Sequence, residues 1–100
     1  MRGGFPPRFE REMGCTEADL RAQLPGASRG APIAWQDHGA DVALRQGTLA
    51  LRWHVLPPRR IALITLPRLA LDFQFGAAID ADARADYMRY FDLYTQRGGG

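Results

Sequence analysis

Between Pro32 and Phe75 apolar and polar positions alternate, and turn signals cut the alternation into strand-sized pieces. That is the pattern of strands with one face in a core and the other toward water. A two-residue loop at His38-Gly39 would set Trp35 opposite Val42 and Ile33 opposite Leu44. A second at Gln46-Gly47 would set Leu44 opposite Leu49 and Val42 opposite Leu51. Both assignments place the large apolar side chains on one face, and Asp41 then faces Arg52 on the other. Trp53 and Val55 continue the buried face. Pro57-Pro58-Arg59-Arg60 reads as the next turn, because its prolines cannot donate ladder hydrogen bonds. Residues 61–75 read either as a hairpin broken at Pro67-Arg68 or as one bent strand with a bulge at Pro67. An unbroken strand there would reach about 50 Å, too long for so small a domain. The expected strands are 32–37, 40–46, 48–56, 60–66 and 69–75.

The flanks follow a helical period. Thr16 and Asp19 match a capping box, with Cys15 and Leu20 at the two positions of a hydrophobic staple. Leu20 and Leu24 share a face, and Pro25-Gly26 predicts the end of this helix, giving 17–24. Phe9 and Met13 upstream are extra core anchors. Toward the C-terminus, Asp80 or Asp82 caps a helix over 81–97, in which Ala83, Tyr87, Tyr90, Phe91 and Tyr94 recur at three-and-four spacing. Asp82, Asp86 and Arg89 line its other side, and Gly98 is the natural residue after its end. The predicted fold is α+β, an antiparallel meander of four or five strands with an N-terminal and a C-terminal helix packed on one face, a two-layer sandwich. Its expected core is Trp35, Val42, Leu44, Leu49, Leu51, Trp53, Leu71, Phe73, Tyr87, Phe91 and Tyr94. Residues 1–8 read as a flexible arm, 9–97 as a single domain and 98–100 as a flexible tail.

Composition agrees with one globular core: 100 residues, 46% apolar and 24% charged. All 13 basic residues are arginine, which reads first as a bias in codon composition. A net charge of +2 is too small to indicate a nucleic-acid partner by itself. The single cysteine, Cys15, excludes an internal disulfide and points to a reducing compartment. The first residues lack the apolar run of a secretory signal, and no stretch has the length of a membrane span. The expectation is a small cytoplasmic bacterial domain.

The residues that could carry chemistry are few. His38, His54 and Cys15 have no metal-ligand spacing, so no metal and no cofactor are expected. Cys15 already has a structural position, and the acids lie singly at turns and helix starts, where capping explains them. No phosphate loop, dinucleotide fingerprint or nucleophile elbow is present. No catalytic residue is assigned, and the balance leans away from an enzyme. Arg45, Arg52, Arg59, Arg60 and Arg68 form a candidate basic surface. Stacking of single-stranded RNA on a sheet needs exposed aromatic side chains there, however, and both tryptophans are assigned to the core side, which argues against nucleic acid. Ile61, Leu63, Ile64 and Leu66 form the candidate interface. In either reading of 61–75 some of them point away from the core, and contiguous exposed apolar area marks an interface. Phe5 and Phe9 could instead cover it. Arg97-Gly98-Gly99-Gly100 resembles the diglycine tail of ubiquitin-like sulfur carriers over four residues. Those carriers enter the tail from a strand, whereas here a helix precedes it, so helix capping accounts for the glycines.

The expected function is therefore binding, as a protein-interaction module whose partner is an unknown protein or a second copy of itself. The alternative is a small-molecule-binding or enzymatic domain with a pocket between the sheet and the tyrosine-rich C-terminal helix.

Overall fold

The structure, a computed structural model, describes residues 4–97. Seven elements follow in order: β1 (Arg8–Met13), α1 (Glu17–Ala27), β2 (Ile33–Gln36), β3 (Gly39–Leu44), β4 (Gly47–Ile61), β5 (Ile64–Phe75) and α2 (Ala81–Arg97). The strands form one antiparallel sheet in the order β1-β5-β4-β3-β2. Both helices lie on one face, giving the two-layer α+β arrangement that the periodicity predicts. Four strands are the expected meander; the fifth is β1, which closes the far edge against β5. Its pattern alternates Arg8, Glu10 and Glu12 outward with Phe9, Arg11 and Met13 inward. The Arg and Glu content weakens that signal, since neither is a strong strand former.

The core is continuous across the sheet and both helices: Val42, Leu49, Leu51, Leu69, Leu71 and Phe73 meet Leu20 and Leu24 of α1 and Met88 and Phe91 of α2. Phe73 is its hub. The Phe9 ring stacks on it at 4.9 Å and Phe91 meets it edge-on at 5.4 Å, geometries that favour the ring quadrupoles. Thr16 caps α1 as expected: its hydroxyl accepts the Asp19 amide at 3.0 Å, and the Asp19 carboxylate accepts the Thr16 amide at 3.2 Å. Asp80 does the same for α2, accepting the Ala83 amide at 2.9 Å.

Both hairpin registers differ from the expected ones by the same step. The loops are Asp37-His38 and Arg45-Gln46, so Trp35 pairs with Ala40, Ile33 with Val42, Val42 with Leu49 and Leu44 with Gly47. Each glycine lies just after its loop instead of within it. Gly47 has φ 151°, and at Gly39 a Cβ would stand 2.6 Å from the Leu51 carbonyl oxygen. Moving each loop back one residue changes the partner by two positions, and two positions preserve the face. The faces are therefore as expected while the pairs are not. Asp41 lies opposite Ala50, yet Arg52 Nη1 still reaches its carboxylate diagonally at 3.0 Å.

Two expected core residues lie outside the core, and Val55, expected on the buried face, is 67% exposed because its strand has run past β3 there. Trp35, on the edge strand β2, is 42% exposed, with the Arg21 guanidinium 5.4 Å from its ring centre. Tyr94 is also exposed and packs over Gly26. That contact explains a further correction: α1 runs through Pro25-Gly26 to Ala27. The proline sits where only the last turn follows, and the glycine serves close approach, not termination.

Of the 61–75 alternatives the hairpin at Pro67-Arg68 is overturned, whereas the single strand holds from Ile64 to Phe75, with the extra residue of the bulge on β4 opposite Pro67. Ile61 pairs with Ile64, so the reversal is at Ala62-Leu63, and Pro57-Pro58 is a bulge inside a long β4. Two residues there face one on β5, Pro67. The length objection lapses because the β4–β5 pair projects from the body, and the long dimension of the molecule is 45 Å. At the N-terminus, Phe5 packs against the core and the Pro7 carbonyl accepts the Phe75 amide at 2.7 Å. Residues 1–3, Gly98 and the rest of the glycine tail lie outside the described residues.

Candidate functional site: a projecting arm and a cleft

Pairing geometry isolates the end of the β4–β5 ribbon. β3 accompanies β4 only as far as Arg52, and β1 accompanies β5 only from Leu69 onward. Residues 55–68 are thus a two-stranded arm with both edges free. Cross-strand partners share a face, so Ile61 with Ile64 and Arg59 with Leu66 continue the outer face begun by Leu56 and Arg68. Leu63 at the tip is fully exposed, Ile64 is 59%, Ile61 53% and Val55 67% exposed. All four candidate interface residues, Ile61, Leu63, Ile64 and Leu66, lie on this arm. Phe5 and Phe9 do not cover them, since both pack on the opposite face against the core. Ala62 opens the tip loop at φ 55°, a left-handed conformation that costs a residue with a Cβ about 1–2 kcal/mol.

The candidate basic residues do not form one patch. Arg52 is engaged by Asp41. Arg68 holds Glu12 through two bonds of 2.9 Å and donates to the Pro57 carbonyl at 3.2 Å, which ties the base of the arm to β1. The same contact keeps the Glu12 carboxyl below its ordinary range and the Arg68 guanidinium above its own. Arg59 and Arg60 lie on the arm without a hydrogen bond or ion pair among the described residues. Arg45 is in the β3–β4 loop, at the other end of the sheet. The outer face of the body carries paired polar groups, including the Arg8–Asp72 ion pair at 3.1 Å and the Gln74 amide donating to Asp72 at 2.7 Å.

Below the edge of the sheet lies a cluster that no local pattern in the sequence marks. The Glu17 carboxylate accepts the Trp53 indole N–H at 2.7 Å and lies 3.3 Å from His38 Nδ1. Arg21 stands between the Trp35 and Trp53 rings and donates to the carbonyls of Gln36 and Asp37. The indole bond is the main reason the Glu17 carboxyl sits below its ordinary range. The cluster clamps the β2–β3 loop to α1. Cys15 is half-buried, and burial raises its thiol, the opposite of what activates a nucleophile.

A cleft of about 770 Å³ opens at the end of the sheet remote from the arm, between the segment after α1, the β3–β4 loop and α2. Tyr87 and Tyr90 line it; Tyr94 does not. The Tyr87 hydroxyl and the buried Ser28 hydroxyl are 2.8 Å apart, and burial pushes the Tyr87 phenol up to about 12.

Among the described residues no group of three or more His, Cys, Asp or Glu side chains could hold a metal ion, and no helix is long and apolar enough to cross a membrane. Comparison with protein-family models, with characterised proteins and with solved structures finds no match to this chain.

Proposed function

We propose that the protein is an interaction module whose β4–β5 arm docks on a second copy of the chain. The observation that carries this reading is the arm itself: a two-stranded ribbon with both edges free and large apolar side chains along it. A lone hairpin is marginal in water, and exposed apolar area of this kind marks an interface. Fully burying one such side chain is worth about 1.5–3 kcal/mol. The five exposed ones, Val55, Ile61, Leu63, Ile64 and Leu66, all but Leu63 already partly covered, can supply on the order of 5 kcal/mol. Association costs about 4–15 kcal/mol, so one arm docked on a passive surface sits at the edge of stability. A two-fold exchange doubles the contribution, because each copy gives an arm and receives one. Charge points the same way. No acidic residue occurs between Trp53 and Leu71, while the outer face of the body carries Glu10, Glu12, Asp41 and Asp72. Glu12, Asp41 and Asp72 are already held by Arg68, Arg52 and Arg8, so the acid that a second copy offers to the arm's arginines is Glu10.

Light scattering over a concentration series tests this. The expected mass is twice 11.1 kDa, returning to the single-chain value when Ile61→Asp and Ile64→Asp are combined. A mass of 11.1 kDa at every concentration rejects self-association. A dimer that persists in the double variant places the interface elsewhere.

A second reading, binding of a small molecule between sheet and α2, is favoured by the cleft against Tyr87 and Tyr90.

A further inference from the structure

The cleft has a chemical character that narrows its ligand. Its wall is largely apolar, with Ala27, Leu44, Ile79 and Ala83 among the lining side chains, and its volume lies in the range of small-molecule sites. Two arginines line it from different elements, Arg29 from the segment after α1 and Arg45 from the β3–β4 loop. The one acid in the lining, Asp86, is met twice, by Arg29 at 3.6 Å and by Arg89 at 3.0 Å. Arg45 has no hydrogen bond or ion pair among the described residues. The local balance is therefore an apolar cavity with unspent positive charge at its rim.

Arg29 is also held in an uncommon way. Its backbone is left-handed at φ 55°, where glycine or asparagine is the usual residue after a helix. Its guanidinium lies 4.2 Å from the centre of the Tyr90 ring, a cation–π contact that fixes the charge at the cleft. Backbone strain retained beside a cavity is a feature of ligand sites.

Building on the small-molecule reading and independently of the arm, we propose that the cleft binds a small amphipathic anion, an apolar body buried against Leu44, Ile79 and Ala83 with a carboxylate between Arg29 and Arg45. Neutral molecules of the same shape would gain the apolar contact but leave Arg45 unanswered, Arg29 keeping its contacts with Asp86 and Tyr90.

Titration of the ¹⁵N-labelled protein with octanoate and with octanol distinguishes the possibilities. Octanoate is expected to shift amides of residues 28–32, 43–46 and 79–90, and to bind at least tenfold more tightly than octanol, the ratio expected of one charge-assisted hydrogen bond. Arg45→Gln should weaken octanoate about tenfold and leave octanol unchanged, which also shows that the cleft is intact in the variant. Equal affinity for the two probes overturns the anionic class while the small-molecule reading stands. Absence of shifts with either probe, or shifts confined to residues 55–68, overturns both.

Discussion

Replacing Gly26 by alanine is expected to destabilise the protein, although alanine is the better helix former. Gly26 lies in the last turn of α1, where Gly→Ala alone is worth about 0.5–1 kcal/mol in favour of the variant. A Cβ at this position would stand 2.1 Å from the Tyr94 hydroxyl oxygen and 2.3 Å from the ring carbon that bears it. Ordinary contact needs the ring to retreat by roughly 1.5 Å. The ring is rigid, so the movement must come from its torsions or from the α1–α2 spacing. Overpacking of this kind costs about 1–3 kcal/mol, which outweighs the propensity gain. The net loss should be about 1 kcal/mol, or about 4–8 °C in Tm for a domain of this size.

A double-mutant cycle read by urea unfolding isolates the cause. In a Tyr94→Ala background the obstacle is gone, and Gly26→Ala should then stabilise by about 0.5–1 kcal/mol. The change of sign is the decisive result. Stabilisation of equal size in both backgrounds would show that Tyr94 does not pack on α1 and would refute the reasoning.

Replacing residues 57–67 by Asn-Gly joins the cross-strand partners Leu56 and Arg68 through a favoured two-residue turn; the body should keep its cooperative melt while the light-scattering mass falls to that of a monomer. The Glu17 carboxyl is depressed in the folded state, so its contribution is present above the ordinary value of 4.5 and lost as pH falls through the folded value. The stability difference between wild type and Glu17→Gln, from urea melts, should therefore shrink below about pH 4.5. Tyr87→Phe leaves the buried Ser28 hydroxyl without its partner and should cost about 1–3 kcal/mol, much of it recovered by adding Ser28→Ala. Because the Tyr87 phenol is raised to about 12, stability should fall as pH rises from 10 toward that value, and Tyr87→Phe should remove this component of the alkaline melt.

How far the sequence reveals the fold depends on which physical constraint dominates at each position. Side-chain alternation has period two, so Val42, Leu49, Leu51, Trp53 and Phe73 read correctly as one buried face even with both hairpin loops misplaced. The pairing itself rests on loop geometry, and there the glycines mislead: Gly39 and Gly47 follow their loops because of close backbone approach and a positive φ. Trp35 reads as core from its period alone, but burial also depends on position across the sheet, and β2 is an edge strand. Pro25-Gly26 reads as a helix end because nothing local announces that Tyr94, 68 positions later, needs the space above the glycine.

The two candidate surfaces are legible to different degrees for the same reason. Ile61, Leu63, Ile64 and Leu66 stand out in sequence because their apolar character conflicts with any consistent face assignment, and the arm is where that conflict is resolved. The cleft joins residues from three distant segments, and no local pattern marks Arg29 and Arg45 as neighbours of one cavity. One backbone property links the two places. Among the described residues, the non-glycine residues with left-handed φ are Arg29, lining the cleft, and Ala62, at the arm tip. A fold optimised only for stability would place glycine at such positions. Glycine would remove the cation that Arg29 presents over Tyr90 and would loosen the tip whose apolar side chains the proposed docking uses. The strain is therefore concentrated at the two surfaces assigned a binding role, and the structured body between them carries none of it.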